Sequence, residues 1–239
     1  MAQVRLRQAV TVVTAVIILV AFVSSLDGPA SARVSAAPAH TQQDGAEAVA
    51  EIIERVGTAY AAMSVYFDRG VVTITHPGEA PWEPTQRFST EFERNRHFKW
   101  TSDLGRNDVY GVVADGTQVF HVWNRKREAM DSIDAALGRG VGVSHLTSDW
   151  VPALLMPEAI SHSVLRATLE RGSGSRRLPD EVLNGRPCFV VGAAGEGFQL
   201  RVWISKRDYL IRRIEQRYPR YNSITTTDYT PQTDISLAP

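Results

Sequence analysis

QRFSTEFERNRHFKW (residues 86–100) and VYGVVADGTQVFHVWNRKREAMD (109–131) read as four or five short strands joined by tight turns. Along Gln86–Arg94, Phe88, Thr90, Phe92 and Arg94 fall on one side, and Arg87, Ser89, Glu91 and Glu93 on the other. A period of two with one charged face describes a half-buried antiparallel strand. His97–Ser102 continues it, with Phe98 and Trp100 sharing a face. Val109–Ala114 leads into Asp115-Gly116, a two-residue type I′ turn signal, and Gln118–Asn124 returns. The inward face therefore carries large aromatics and one arginine.

These residues resemble a known family. FERNRHFKW is similar to the strand pair of the periplasmic lipoprotein-carrier (LolA/LolB-like) superfamily, and VADGTQVFHVWNRKREA to the hairpin that follows it there. Arg94, Phe98, Lys99, Trp100, Asp115 and Gly116 sit at matching places. The family usually has proline after the arginine, where this chain has Asn95. GRPCFVV and LRVWISKRDYLIRRIEQ resemble the last strands of the superfamily's uncharacterised, outer-membrane lipoprotein-sorting branch. The resemblance spans roughly residues 46–229. It implies a curved antiparallel sheet forming a half-open β-barrel, partly closed by an N-terminal helix and a helical lid.

Composition is that of an ordinary globular protein: 239 residues, 44% hydrophobic and 22% charged. Without residues 1–32 the chain holds 24 basic and 25 acidic residues, so no global field favours nucleic acid. Arg5 and Arg7 precede an apolar run from Ala9 to Leu26, and Ala30-Ser31-Ala32 supplies a small-residue cleavage site. That order predicts an export signal over 1–32, with an uncleaved inner-membrane anchor as the alternative. No cysteine lies there to carry a lipid. Residues 33–43 read as a flexible leader and 44–239 as a single domain.

Within that domain, Asp44 with Glu47 three residues on predicts a capped helix bearing the stripe Val49, Ile52, Ile53, Val56, Tyr60, Met63. Val65–Thr75 reads as the first strand, with Gly70 as a bulge candidate, and 76–84 as a loop. In 131–162, DSIDAALGRGVG and SHLTSDWVPALLMPEA predict two short helices. Leu146, Trp150, Leu154, Leu155 and Met156 lie on one apolar face, kept short by Pro152 and Pro157. This is a lid or an ordinary helical insertion packed on the core. Val164–Leu169 reads as a strand and RGSGSRR as a polar turn. Asn184-Gly185 then signals a hairpin, and Gln199–Ser205, Leu210–Tyr218 and Tyr221–Tyr229 complete a meander of about ten strands.

Catalytic signatures are missing. The sequence has no phosphate loop, Rossmann glycines or HExxH, and its histidines, at 40, 76, 97, 121, 145 and 162, lack metal-ligand spacing. GVGVSH around Ser144 lacks the strand–turn–helix setting of a hydrolase elbow, and Asp149 with His145 reads as lid-helix capping. Cys188, the only cysteine, reads as a small buried hydrophobe. The expectation is a non-enzyme without cofactor or metal.

The arginine is the polar residue to explain. A buried guanidinium needs acceptors, and in the resembling carriers this arginine bonds lid carbonyls and holds the cavity shut. Arg94 is thus a latch candidate, or a rim arginine paired with Glu93 or Glu91. Lys206, Arg207, Arg212, Arg213, Arg217 and Arg220 form a basic cluster that is either a solvated face or a contact for anionic membrane or an acidic partner. The sequence reading is an exported, monomeric carrier, chaperone or sensor for an acyl chain, lipid or lipidated protein. Its expected cavity comprises Phe88, Phe92, Arg94, Phe98, Trp100, Leu146, Trp150, Leu154 and Leu155. The alternative is a periplasmic regulatory module that binds a membrane-protein partner.

Overall fold

Alternation of side chains sets the strands, and the turns set their register. The computed structural model describes residues 41–78, 82–105, 108–161, 163–171, 174–195 and 197–233. The proposed export signal at 1–32 and residues 33–40 of the leader lie outside these. The strands are β1 (Val65–Thr75), β2 (Trp82–Glu93), β3 (His97–Asp103), β4 (Val109–Ala114), β5 (Val119–Trp123), β6 (Lys126–Met130), β7 (Arg176–Leu183), β8 (Arg186–Gly195), β9 (Phe198–Ser205), β10 (Ile211–Tyr218) and β11 (Ser223–Tyr229). They form one eleven-stranded antiparallel sheet in the order β6-β5-β4-β3-β2-β1-β11-β10-β9-β8-β7. The sheet curves without closing, so β6 and β7 are free edges. The result is an α+β half-open barrel.

Two meanders, β1–β6 and β7–β11, meet at the β1–β11 seam, where Gly70 faces Tyr229 and Thr75 faces Ile224. On β1, Tyr66, Asp68, Gly70 and Val72 point inward together. Phe88, Phe92, Phe98 and Trp100 do the same on β2 and β3 and are all under 5% exposed. Asn184 (φ 52°) and Gly185 (φ 76°) make the expected two-residue turn between Leu183 and Arg186. The Asp115 turn is centred one residue later than expected. Asp115 N donates to Gln118 O, Gly116 (φ 87°) and Thr117 occupy the centre, and Asp115 Oδ1 accepts from Thr117 N and Gln118 N. The Thr117 hydroxyl, which also donates to Oδ1 (2.7 Å), and those two backbone bonds hold the Asp115 carboxyl at about 2, below its ordinary range.

Four helices occur. α1 (Thr41–Ala61) starts three residues before Asp44, so Asp44 lies within the helix and does not cap it. α2 (Ile133–Gly140) is capped by Ser132, whose Oγ accepts from Ala135 N at 3.1 Å. α3 (Trp150–Leu155) carries Asp149 at its N-cap position, buried and without a capping side-chain bond. α4 (Val164–Arg171) replaces the strand expected over Val164–Leu169. Leu165, Thr168 and Leu169 stand at i, i+3 and i+4 and are buried together, which a helix achieves and an alternating strand does not. Gly70 is not a bulge, since the β1–β2 register shifts between Val72 and Ile74. A Cβ at Gly70 would lie 2.1 Å from the Phe88 ring and 2.6 Å from Asp228 O, so glycine there admits the ring.

Candidate functional site

The sheet's inner surface is divided into a filled half and an open half. Over β1–β4 the space is packed with the protein's own rings: Phe88 meets Tyr229 edge-on at 5.4 Å, and Trp100 meets Tyr110 at 6.1 Å. Over β9 and β10, a cavity of about 730 Å³ lies between α1, α3, α4 and the strands. Val202, Ile204 and Ile211 form its floor. Ala153, Leu154 and Pro157 bound it from α3 and its C-terminal flank, Leu165 and Leu169 from α4, and Gly174 and Ser175 from the start of β7. α1 lines it with Val49, Ile53 and Val56, and with small residues Ala50, Gly57 and Ala61 that leave the room. Glu54 and Thr58 are its exposed polar members.

Of the nine residues expected around a cavity, Leu154 alone lines this one. Trp150 and Leu155 are buried in the core and Leu146 packs against it half-buried. Phe88 and Trp100 are enclosed core, while Phe92, Arg94 and Phe98 border a separate recess of about 170 Å³ beside Met156 and Glu158. The signal for the larger cavity was the small-residue face of α1, at spacings of seven and four.

Arg94 lies beyond the end of β2, at the junction of α1 and the lid. Its Nε donates to Met63 O (2.9 Å), and one terminal nitrogen reaches Ala61 O (2.7 Å), Leu155 O (3.2 Å) and Tyr60 O (3.4 Å). Two of these carbonyls, of Tyr60 and Ala61, belong to the last turn of α1 and Met63 O follows just beyond it, where a cation is favoured. The fourth belongs to α3. The guanidinium also lies 5.2 Å from the Phe92 ring centre and 3.7 Å from exposed Glu158. Glu93 pairs with Arg96 and Glu91 with Lys99, so neither holds Arg94. Asn95 adopts φ 62°, which proline, fixed near −65°, cannot take; the turn therefore differs from one built on the family's usual proline.

A buried polar chain fastens the same end of α1 to the sheet. Ile211 N donates to Tyr60 Oη (3.1 Å), and Tyr66 Oη donates to Asp68 Oδ2 (3.1 Å). Asp68 Oδ1 accepts from Thr230 N at 2.8 Å. Burial pushes the Asp68 carboxyl up to about 7, against the opposing pull of the Thr230 and Tyr66 bonds. Burial likewise raises Tyr60, Tyr66 and Tyr229.

Antiparallel half-barrel, inner helix, lid after the sixth strand and an arginine joined to a lid carbonyl occur together in this chain. These are the features that the resemblance to the LolA/LolB-like superfamily implies. Solved structures similar to the chain include the lipoprotein LppX of Mycobacterium tuberculosis, at 9% identity and TM-score 0.45, covering 80% of this chain and 99% of that one. A LolA superfamily protein from Nitrosomonas europaea matches at 8% and 0.34, over 79% and 94%. The MucA/MucB complex of Pseudomonas aeruginosa matches at 10% and 0.39, over 80% and 59%. No family model and no curated protein matches the chain.

Among the described residues, no group of three or more His, Cys, Asp and Glu could hold a metal. Ser144 is buried against Ser148 (2.9 Å) and serves the α2–α3 connection. Cys188 is buried at the outer face of β8 with Val190 and Trp203, and burial raises its thiol. No described helix is long and apolar enough to cross a membrane.

Proposed function

We propose that the protein is an exported, non-enzymatic carrier or sensor that shelters an acyl chain, of a lipid or a lipidated protein, in the cavity beneath α1 and the lid. The cavity carries this reading. Its volume falls in the range of about 300–1,000 Å³ typical of small-ligand sites, and its floor and walls are aliphatic. Each methylene moved there from water returns about 0.8 kcal/mol. Twelve methylenes give roughly 10 kcal/mol before ordering costs, enough to hold a chain without any charged contact. Arg94 then acts as a hinge pin, since α3 bounds the cavity and shares the guanidinium with α1.

A second reading is supported by the filled half of the barrel. With Phe88, Phe92, Phe98 and Trp100 buried, that half leaves only the recess of about 170 Å³, as in a module that binds a membrane-protein partner through its surface. One experiment separates the two. Ile53→Trp places an indole in the cavity from α1. A carrier loses most of its binding of a fluorescent fatty-acid probe, with an unchanged melting temperature. Equal probe binding by this variant and the parent protein, or none by either, refutes the cavity reading.

A further inference from the structure

Three of the four exposed large hydrophobic side chains among the described residues, Val109 (41%), Trp123 (37%) and Tyr221 (67%), lie at one end of the sheet. The register fixes this. Thr75 pairs with Ile224, Tyr218 with Ser223, Arg87 with Asp103, and Tyr110 with Trp123. The β5–β6 turn (Asn124-Arg125), the start of β4 and the β10–β11 turn (219–222) thus share the end opposite Arg94. The start of β7, whose flank Gly174-Ser175 borders the cavity, lies there too.

Those tips are also cationic. Arg125, Lys126, Arg217 and Arg220 are exposed, and none forms an ion pair with an acid among the described residues. By contrast Lys206, Arg212 and Arg213, of the same basic cluster, are neutralised by Asp180, Asp208 and Asp228. No acid occurs in 119–127 or 216–227. The acids of that end with described side chains, Asp103 and Asp108, belong to the β3–β4 connection. Trp123 leans on the Tyr110 ring at 5.3 Å and still exposes more than a third of itself. Arg220 lies 5.8 Å from the Tyr221 ring. Asn124 and Arg125 both have positive φ, 48° and 66°. This is a type I′ turn whose second central position, normally glycine, holds an arginine at a conformational cost.

Aromatic rings with a polar edge, flanked by unpaired arginine and lysine, match the chemistry of a bilayer's headgroup region. A soluble acidic surface would use the cations and leave Trp123 and Tyr221 without a role. We propose that these two hairpin tips form a docking end for anionic lipid headgroups, with Trp123 and Tyr221 seated at the interface and the cavity's Gly174-Ser175 side turned toward the membrane. The proposal does not depend on what the cavity holds.

The test uses the full chain with vesicles of phosphatidylglycerol and brominated phosphatidylcholine, reading quenching of tryptophan emission. Residues 1–40 contain no tryptophan, so attachment through them does not mimic the signal. The expected result is quenching on anionic vesicles that falls at high salt and disappears in Trp123→Phe. Replacing Arg125, Lys126 and Arg220 with serine reduces the ratio of quenched to free Trp123 by about fivefold per cation, with an unchanged melting temperature. Equal quenching on purely neutral vesicles, or co-flotation of the chain with Trp123 unquenched, overturns the proposal. So does protection of Trp123 by soluble polyglutamate without quenching on vesicles, which assigns the end to an acidic protein instead.

Discussion

Replacing Arg94 with leucine removes a side chain that bonds to both α1 and α3. The guanidinium presents its Nε–H and two hydrogens of one terminal nitrogen to four carbonyls, so about three hydrogen bonds are lost. Charged donors contribute roughly 1.5–3 kcal/mol each when buried and nearer 1 when water competes. Arg94 keeps a quarter of its side chain exposed, and water can replace part of what is lost at the end of α1. The Glu158 contact is long and exposed and adds little. The expected cost is therefore about 2–3 kcal/mol in urea unfolding. It should be accompanied by faster hydrogen exchange in the last turn of α1 and in α3, and by no change in the β8–β10 amides. Arg94→Lys retains charge but not the fork and recovers less than half. A loss under about 0.5 kcal/mol, or faster exchange spread evenly over the sheet, would show that the arginine does not hold the helix and the lid together.

Two further perturbations test the seam. Asp68 is protonated in the folded state up to about pH 7, while an unfolded aspartate ionises near 4. Between those values the folded state binds the extra proton, so this group makes the protein more stable as pH falls from 7 to 4, by up to about 4 kcal/mol. Asp68→Asn should flatten the pH profile of urea midpoints between pH 4 and 7, and an unchanged slope would remove Asp68 as its source. Gly70→Ala drives a methyl into the Phe88 ring and the fixed Asp228 carbonyl; a loss of about 1–3 kcal/mol is expected in thermal unfolding, and a neutral result would mean the ring has room to move.

Much of the architecture was legible because period-two alternation survives in β2, β3 and β9, where one face is largely apolar and the other is not. Asn184-Gly185 specified its turn because both residues tolerate positive φ. The Asp115-Gly116 turn was displaced by a residue because the Asp115 side chain bonds the backbone ahead of it, and so stands before the centre. α4 was misread since VLRATLER, eight residues long, fits both periods until its packing partners are known. Eight of the nine expected cavity residues fall outside the larger cavity for a different reason. Large aromatics fill space, and an opening arises where a helix supplies Ala50, Gly57 and Ala61 instead. Arg94 was found by parity with Phe88 and Phe92, but its α1 partners are set by where a helix ends, which the sequence marks weakly.

The β1–β11 seam has a consequence for how the molecule comes into being. Every other strand pair is a hairpin or a near neighbour, whereas this ladder joins residues about 150 apart, such as Thr75 and Ile224. Closing so long a loop is slow, because its entropy is spent before any contact repays it. A chain made N-terminus first therefore holds β1 with one side unpaired until β11 has emerged. Tyr229, which fills the space above Gly70 and Phe88, arrives later still. The two meanders are thus halves of a clasp fastened by β11. A chain cut short before Ser223 is left with a bare inner edge on β1, and deleting β6 costs far less.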